Sequence, residues 1–216
     1  MCSISGINLK SEKIIKLMIN AQKHRAPDED GYRLFDHFSL GMGRLKIIDL
    51  VSKNLCPYEE DNYVLSYNGE IYNYLELRNI LKKKWKFKTS SDTEVLLKCY
   101  REWGENMFSK LNGMFAFCIY DKKKNKIILA RDIAGEKPLY YYHSGNRFAF
   151  SSELKALYKV FNLKKKDNSK FFLNFQHCLN ETLWKNVFQV PAANYLTYDL
   201  KRKKIKINEY WTLKKR

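Results

Sequence analysis

Two hydrophobic periods alternate along this chain, one typical of helices and the other of strands. Between the helical segments, apolar and polar residues alternate in stretches bounded by turn-forming residues, which predicts strands joined in hairpins. The pattern therefore predicts an α+β protein with many antiparallel hairpins and a few amphipathic helices. The predicted helices cover residues 11–22, 74–85, 92–103 and 153–158.

The predicted strands follow the alternating segments. They cover residues 3–7, 34–38, 40–50, 63–67, 114–121, 126–131, 139–143, 147–151, 194–199 and 205–211. Gly41 and Gly43 are expected to break the third of these strands. The charged segments 24–31 and 131–138 are interpreted as solvated loops. For the segment 24–31 the alternative is that it forms part of a pocket wall.

Two of the helices begin with polar residues that can cap them. Asn73 is a predicted N-cap of the second helix. Ser91 and Glu94 form the capping box of the third helix, and Asp92 in its first turn is favoured by the helix dipole. These capping roles need no ligand.

Length and composition indicate one globular domain, or two at most. The chain has 216 residues, of which 45% are hydrophobic, so it can bury a substantial core. It contains no run of eighteen or more apolar residues and no N-terminal signal sequence. We therefore expect a soluble, cytoplasmic protein.

The net charge of +17 and the pI near 9.6 raise the question of nucleic-acid binding. The excess is mainly lysine, and the runs at 122–126 and 201–204 fall at predicted hairpin tips, as solvated turns do. The sequence shows no recognised RNA- or DNA-binding motif. We expect no dedicated nucleic-acid role, although the charge alone would give weak, salt-sensitive association with polyanions.

The five cysteines are odd in number and widely spaced, and no two form a Cys-x-x-Cys pair. The sequence therefore indicates neither a disulfide framework nor a metal site. Four of them are expected to pack as small hydrophobic residues: Cys56, Cys99, Cys118 and Cys178.

Cys2 differs from the other cysteines because it becomes the first residue if Met1 is removed. It then carries both a thiol and a free α-amine, so a nucleophile and its base arrive on one residue. The ordinary pKa of the amine is roughly 7.7 to 8.0, and that of the thiol is about 8.5. Cys2 is thus a candidate nucleophile at the start of a strand, and an ordinary apolar strand residue is the alternative.

Two further places carry candidate chemistry. Asn68 and Gly69 follow a predicted strand, where an amide side chain and a glycine N–H have the groups of an oxyanion hole. A tight turn is the alternative for this dipeptide. Arg44 lies between apolar neighbours, and its guanidinium is suited either to binding a carboxylate or to reaching solvent.

Seven motifs, in order along the chain, carry a resemblance to a known family. They are Met1-Cys-x-Ile-x-Gly6, His24-Arg-Ala-Pro-Asp28, Gly43-Arg-Leu-Lys-Ile-Ile-Asp49, Tyr67-Asn-Gly-Glu-Ile-Tyr-Asn73, Ser91-Asp-Thr-Glu94, Leu111-Asn-Gly-Met-Phe-Ala-Phe117, and Ala130-Arg-Asp132 with Gly135 and Lys137-Pro-Leu-Tyr140. Together they resemble the glutaminase domain of asparagine synthetase, which is a class II, N-terminal-nucleophile glutamine amidotransferase. The resemblance extends over essentially the whole chain, as far as Tyr210-Trp211.

This resemblance implies a four-layer αββα sandwich of two antiparallel sheets, of the N-terminal-nucleophile hydrolase type. It implies a single domain over residues 1–216 that hydrolyses L-glutamine to glutamate and ammonia. Cys2 would be the nucleophile that attacks the side-chain amide of glutamine. Asn68 and the Gly69 N–H would stabilise the oxyanion.

The resemblance also implies how glutamine is held. Arg44 would bind the α-carboxylate of glutamine, and Glu70 and Asp92 would bind its α-ammonium. The backbone near Ile47 and Ile48 would line the pocket. No metal and no cofactor are implied for this chain.

Several positions depart from the family pattern. Ser3 and Ala26 stand where the family has glycine, Met42-Gly43 where it has His-Arg, and Pro191-Ala192-Ala193-Asn194 where it has Pro-Gly-His. A positive φ at residue 3 or 26 would strain the side chain there, and activity would then be reduced.

A full asparagine synthetase also needs a synthetase domain, and this sequence contains no Ser-Gly-Gly-x-Asp-Ser loop and no Walker-type loop. ATP and Mg²⁺ are expected only in that domain. We expect the chain to supply ammonia to a synthetase domain or subunit that acts on aspartate. A homodimer is one expected form of assembly, and no contact with a membrane is expected. The alternatives are transfer to a sugar acceptor and a catalytically silent module that binds glutamine or a partner enzyme.

Overall fold

The computed structural model describes residues 1–53, 55–166 and 180–213. The prediction for Cys178 lies outside the described residues. The described strands are β1 Ser3–Ile7, β2 Glu29–Phe35, β3 Phe38–Arg44, β4 Tyr58–Glu60, β5 Tyr63–Ile71, β6 Gly113–Asp121, β7 Lys126–Arg131, β8 Tyr140–Ser144, β9 Arg147–Ser151, β10 Val187–Gln189, β11 Asn194–Asp199 and β12 Lys204–Glu209. The described helices are α1 Glu12–Asn20, α2 Tyr74–Leu81, α3 Asp92–Trp103 and α4 Leu154–Val160.

The strands form two six-stranded sheets in which every neighbouring pair is antiparallel. The first sheet has the order β10-β8-β9-β1-β3-β2, and the second has the order β12-β11-β7-β6-β5-β4. β1 lies in the interior of the first sheet, paired with β3 on one side and β9 on the other. The start of the chain is therefore fixed at the centre of a sheet and not at its edge.

The two sheets pack face to face, and the helices cover their outer surfaces. Ile4 and Leu40 of the first sheet meet Val64, Ala116 and Leu129 of the second in one buried apolar cluster. Helices α1 and α4 bury their apolar faces against the first sheet, and α2 and α3 bury theirs against the second. The predicted α+β class and the αββα layers are confirmed.

The strand boundaries around the first hairpin were wrong in the sequence analysis. β2 begins at Glu29, inside the segment predicted as a loop, and β3 ends at Arg44. Gly41 does not break β3, which continues to Arg44. A side chain at Gly41 would lie 2.8 Å from the Ile19 side chain of α1. Glycine at this position lets the helix approach the sheet closely.

Three of the four charged side chains of the segment 131–138 are not solvated, contrary to the interpretation from sequence, whereas Glu136 is exposed. Arg131, Asp132 and Lys137 are all buried. The Arg131 guanidinium donates to the carbonyl oxygens of Lys137 at 2.8 Å and Val190 at 3.0 Å. Buried charges of this kind are stable only when hydrogen bonds replace water, so these three side chains are part of the packed interior.

The predicted helix caps are right in position but only partly right in mechanism. Ser91 caps α3 by accepting from the Thr93 N–H at 3.1 Å. Glu94 does not complete the capping box, since its carboxylate accepts from the Thr89 N–H and hydroxyl. Asn73 is the N-cap residue of α2, yet its side chain bonds to another segment of the chain.

The family departures at residues 3 and 26 introduce no backbone strain. Neither Ser3 nor Ala26 has a positive φ, and Ala26 has a φ of −137°. The departure that does carry strain is Ala193, with a φ of 57° in the left-handed region that favours glycine. Among the described residues, none of the helices is both long and apolar enough to cross a membrane.

Ala193→Gly should stabilise the fold by about 1 kcal/mol, because glycine adopts a positive φ without the steric cost that a Cβ incurs. For a chain of this size the melting temperature should rise by roughly 2–4 °C, measured by calorimetry. Ala192→Gly is the matched control, since Ala192 does not have a positive φ. An equal gain from both substitutions would contradict strain at Ala193.

Candidate active site

A cavity opens where the start of the chain, the end of β3, the end of β5 and the start of α3 meet. Its wall consists of Cys2, Met42, Arg44, Leu45, Ile47, Ile48, Tyr67, Gly69, Glu70, Ser91, Asp92 and Thr93. All of the site residues proposed from the sequence except Asn68 contribute to this wall. The two sheets and α3 thus bring together residues that are distant in sequence.

The Cys2 thiol lies at the wall of the cavity and is partly buried. Its Sγ accepts from the Leu45 N–H at 3.4 Å and lies 3.6 Å from the Leu45 carbonyl oxygen. Burial raises the pKa of the thiol, and the Leu45 backbone and the Arg44 charge oppose that rise without cancelling it. The resting thiol is therefore protonated at neutral pH and needs a base before it can attack as a thiolate.

The backbone of Cys2 is held by a buried arginine. Cys2 precedes β1, so the pairing of that strand does not fix its carbonyl group. The Arg25 Nε–H donates to the Cys2 carbonyl oxygen at 3.1 Å, and its guanidinium pairs with Glu153 at 3.1 Å. This contact fixes the residue that carries the thiol.

Asn68 and Gly69 lie within β5, which continues to Ile71, so the turn alternative from the sequence analysis is wrong. Gly69 has a φ of 155°, and a side chain there would lie 2.1 Å from the Met114 carbonyl oxygen, so only glycine fits. Asn68 is buried, and its Nδ2 has no hydrogen-bond partner among the described residues. A buried amide donor without a partner is costly in a structural role and useful in one that binds a developing charge.

Arg44 is buried, so the alternative in which it reaches solvent is wrong. Its guanidinium donates to the carbonyl oxygens of Ile48 at 3.1 Å and Asp49 at 2.8 Å, and lies 3.4 Å from Glu29. These bonds occupy the terminal nitrogens. Through them the guanidinium organises the loop that follows β3. Within the described ranges the Nε–H makes no hydrogen bond.

Glu70 and Asp92 bring two carboxylates to the cavity. The Asp92 carboxylate accepts from the Tyr67 hydroxyl at 2.8 Å and the Ile71 N–H at 3.1 Å. Burial raises the pKa of Asp92 despite these bonds. Burial, and then the charge of Asp92, raise the pKa of Glu70 to about 7, while Lys137 opposes this rise. Two carboxylates with raised pKa values favour a cationic ligand between them.

Sequence reasoning missed several wall residues, of which Tyr67 matters most. Its hydroxyl fixes the Asp92 carboxylate, and its ring is buried against the helices of the second sheet. The motif that begins at Tyr67 contained a signal for this role, but strand alternation alone assigns the side chain to the apolar core. Leu45 was missed because its contribution to the cavity comes through backbone contacts with Cys2.

A family profile described as "Glutamine amidotransferase domain" matches residues 1–211. The chain belongs to this glutamine amidotransferase family. It is 40% identical to "Putative asparagine synthetase [glutamine-hydrolyzing] 2" of Methanocaldococcus jannaschii, over 99% of this chain and 47% of that protein. It is 44% identical to "Asparagine synthetase [glutamine-hydrolyzing] 1" of Bacillus subtilis, over 73% of this chain and 26% of that protein. This amidotransferase chain spans about half, or less, of the length of these relatives.

Solved structures support the fold of this amidotransferase domain. The glutamine phosphoribosylpyrophosphate amidotransferase of Bacillus subtilis, solved with ADP and GMP, superposes with a TM-score of 0.71 at 18% identity. The match covers 98% of this chain and 50% of that one. At this level of identity the likeness establishes the fold, a sandwich of two sheets, and no more.

Asp92→Asn should lower the pKa of Glu70 below its value of about 7, because the substitution removes the neighbouring negative charge while leaving the burial. Titration of ¹³C-labelled glutamate by NMR measures the shift. Lys137→Gln should move the same pKa upward, since a favourable cation is lost. An unchanged pKa in both variants would show that the carboxylates do not interact.

The raised pKa of Glu70 also sets the sign of its contribution to stability. The unfolded carboxyl titrates near 4.5 and the folded one near 7, so the folded state holds its proton more tightly. The contribution of Glu70 to stability is therefore present at low pH and is lost as the pH rises towards 7.

Proposed function

We propose that this chain hydrolyses L-glutamine to glutamate and ammonia through a thioester on Cys2. The observation that carries the proposal is one cavity whose wall contains the Cys2 thiol, the Gly69 backbone and the Glu70 and Asp92 carboxylates. A nucleophile, an oxyanion donor and an anionic pair that matches an α-ammonium are the groups that amide hydrolysis of glutamine requires.

Removal of Met1 would place a free α-amine beside the thiol. Burial raises the pKa of the Cys2 thiol, so the thiol needs a base to become a thiolate. The α-amine has an ordinary pKa of roughly 7.7 to 8.0, so a neutral fraction is present near pH 7 to accept the proton as the sulfur attacks. The thiolate attacks the amide carbon of glutamine to form a carbon–sulfur bond. The tetrahedral intermediate then loses ammonia, which takes up the proton, and water cleaves the thioester to give glutamate and the free thiol.

The oxyanion of that intermediate would be stabilised by Asn68 and Gly69. The Asn68 Nδ2 is buried without a partner among the described residues, so its hydrogen-bonding capacity is available. It is not part of the cavity wall, and the proposed contact requires it to be reached from the cavity as the substrate binds. The enclosed position strengthens such a hydrogen bond relative to one in water.

Glutamine would lie with its α-ammonium between Glu70 and Asp92. That cation supplies the counter-charge that the two carboxylates lack, and it would lower the raised pKa of Glu70 on binding. The α-carboxylate would be met by Arg44, whose Nε–H is unengaged among the described residues while its terminal nitrogens hold the loop. Backbone at Ile47 and Ile48 would complete the pocket.

The ammonia acceptor we propose is aspartate, in a synthetase domain or subunit that uses ATP and Mg²⁺. The support is that relatives with 40% and 44% identity are named as glutamine-hydrolysing asparagine synthetases. This chain corresponds to only part of their length, so the acceptor chemistry is assigned to the remainder of such an enzyme or to a partner.

Cys2→Ala should abolish ammonia release from glutamine while leaving the fold intact, because the attacking sulfur is lost. A coupled glutamate dehydrogenase assay measures release, and mass spectrometry establishes whether Met1 is removed. Cys99→Ala is the control, since Cys99 is a free cysteine that does not line the cavity. An active Cys2→Ala enzyme would reject the proposal, and a mature chain that binds glutamine without turnover would identify a silent module.

Asn68→Ala should reduce kcat by about 10² to 10³, the loss that follows removal of one oxyanion-hole donor. Stability should change little, because the buried Nδ2 has no partner to lose among the described residues. Steady-state kinetics and thermal melts measure the two effects. Asn79→Ala, on the exposed face of α2, should leave kcat unchanged. Equal kcat values for Asn68→Ala and the parent would remove Asn68 from the oxyanion hole.

A further inference from the structure

Asp49 lies in the loop after β3 in an unusual backbone conformation. Its φ is 58°, in the left-handed region that few residues other than glycine occupy. Aspartate and asparagine tolerate this region better than most residues, because their short polar side chains bond locally. The conformation turns the chain between Ile48, which lines the cavity, and Ser52.

The Asp49 carboxylate makes three hydrogen bonds. It accepts from the Ser52 N–H at 2.8 Å and from the Ser52 hydroxyl at 2.6 Å, both within its own loop. It also accepts from the Ser90 N–H at 3.0 Å, which belongs to the segment before α3. The carboxylate therefore joins two segments that are 41 residues apart.

Both joined segments form walls of the glutamine cavity. The loop after β3 contributes Ile47 and Ile48, and Ser90 directly precedes Ser91 and Asp92, which also line the cavity. The carbonyl oxygen of Asp49 accepts from Arg44 at 2.8 Å. The backbone of Asp49 thus contacts Arg44, the proposed partner of the α-carboxylate. Its side chain contacts the segment that carries Asp92, a proposed partner of the α-ammonium.

The charge of Asp49 persists over the working range of pH. Partial burial favours the protonated carboxyl, but the hydrogen bonds from Ser52 and Ser90 outweigh it and lower the pKa of Asp49 to about 2. Hydrogen bonds to an ionised acceptor are stronger than those between neutral groups. The connection between the walls is therefore insensitive to pH wherever Glu70 titrates.

We propose that Asp49 is a positioning residue that sets the glutamine affinity of the site by holding the Ile47–Ile48 loop against the Ser90–Asp92 segment. It touches neither the substrate nor the thiol in this assignment. It acts by preforming the distance between the carboxylate-binding and ammonium-binding ends of the cavity, so that binding does not have to order the loop. The assignment rests on the proposed glutaminase function.

Asp49→Asn tests this assignment, because asparagine keeps the tolerance for a positive φ and removes the charge and one acceptor. KM for glutamine should rise about tenfold, in line with the loss of a charge-assisted hydrogen bond, while kcat changes less than about threefold. The rise should be the same from pH 6 to pH 9, unlike the dependence of binding on Glu70. Hydrogen exchange should show that the Ser90 amide loses protection.

Asp61→Asn is the matched control. Asp61 also has a positive φ, of 53°, and is an aspartate in an ion pair, with Arg101 at 2.7 Å, but it does not line the cavity. Its substitution should leave KM unchanged. Ser52→Ala is a milder second variant that removes only the 2.6 Å hydroxyl bond and should raise KM roughly threefold. If Asp49→Asn does not fold, the KM of Ser52→Ala tests the positioning role of Asp49.

Calorimetry of glutamine binding to Cys2→Ala, with and without Asp49→Asn, tests the positioning role of Asp49 separately from the proposed glutaminase function. A Kd that rises about tenfold with Asp49→Asn supports the positioning role whether or not turnover is observed. An unchanged Kd and KM, or a loss of thermal stability without a change in either, would overturn that role. Glutamine binding by the mature parent without hydrolysis would instead reject the proposed function.

Discussion

The face-to-face packing of the two sheets is the interaction on which the candidate site depends. Cys2 enters from the first sheet, whereas Asn68, Gly69 and Glu70 come from the second. The apolar cluster between the sheets fixes their separation, and the Ser66 hydroxyl adds a buried hydrogen bond to the Gly41 carbonyl at 2.9 Å. The Cys2 thiol and the Gly69 backbone line one cavity because this interface is close-packed and resists deformation.

An acidic pair faces the cavity of a chain that is basic overall. The protein carries a net charge of +17, yet Glu70 and Asp92 face the cavity with pKa values raised by burial. The lysine runs at 122–126 and 201–204 lie at the tips of the β6–β7 and β11–β12 hairpins, as the sequence predicted. General basicity therefore reflects solvated turns, while the local acidic pair sets the preference of the site for a cation.

The departures from the family pattern show how local conformation decides the effect of a substitution. Ser3 and Ala26 occupy extended or otherwise ordinary backbone, so losing glycine there causes no strain. Ala193 occupies a positive φ, where the missing glycine does matter. All three replace or adjoin a glycine of the pattern, and only the backbone angle separates the tolerated changes from the costly one.

The amino-acid sequence by itself determined the class of fold, the hairpin at residues 114–131 and the exact span of α3 through periodicity. Its ordered motifs identified seven of the twelve described wall residues. It misplaced the ends of β2 and β3, where glycines permit close contacts with distant segments, Gly41 with α1 and Gly31 with Cys56, which no local pattern records. Only the tertiary structure decided that Arg131, Asp132 and Lys137 are buried, that Arg44 binds the loop it precedes, and that Asp49 reaches Ser90. Such contacts join segments far apart in the chain, so they depend on how the sheets pack and not on any one stretch of residues.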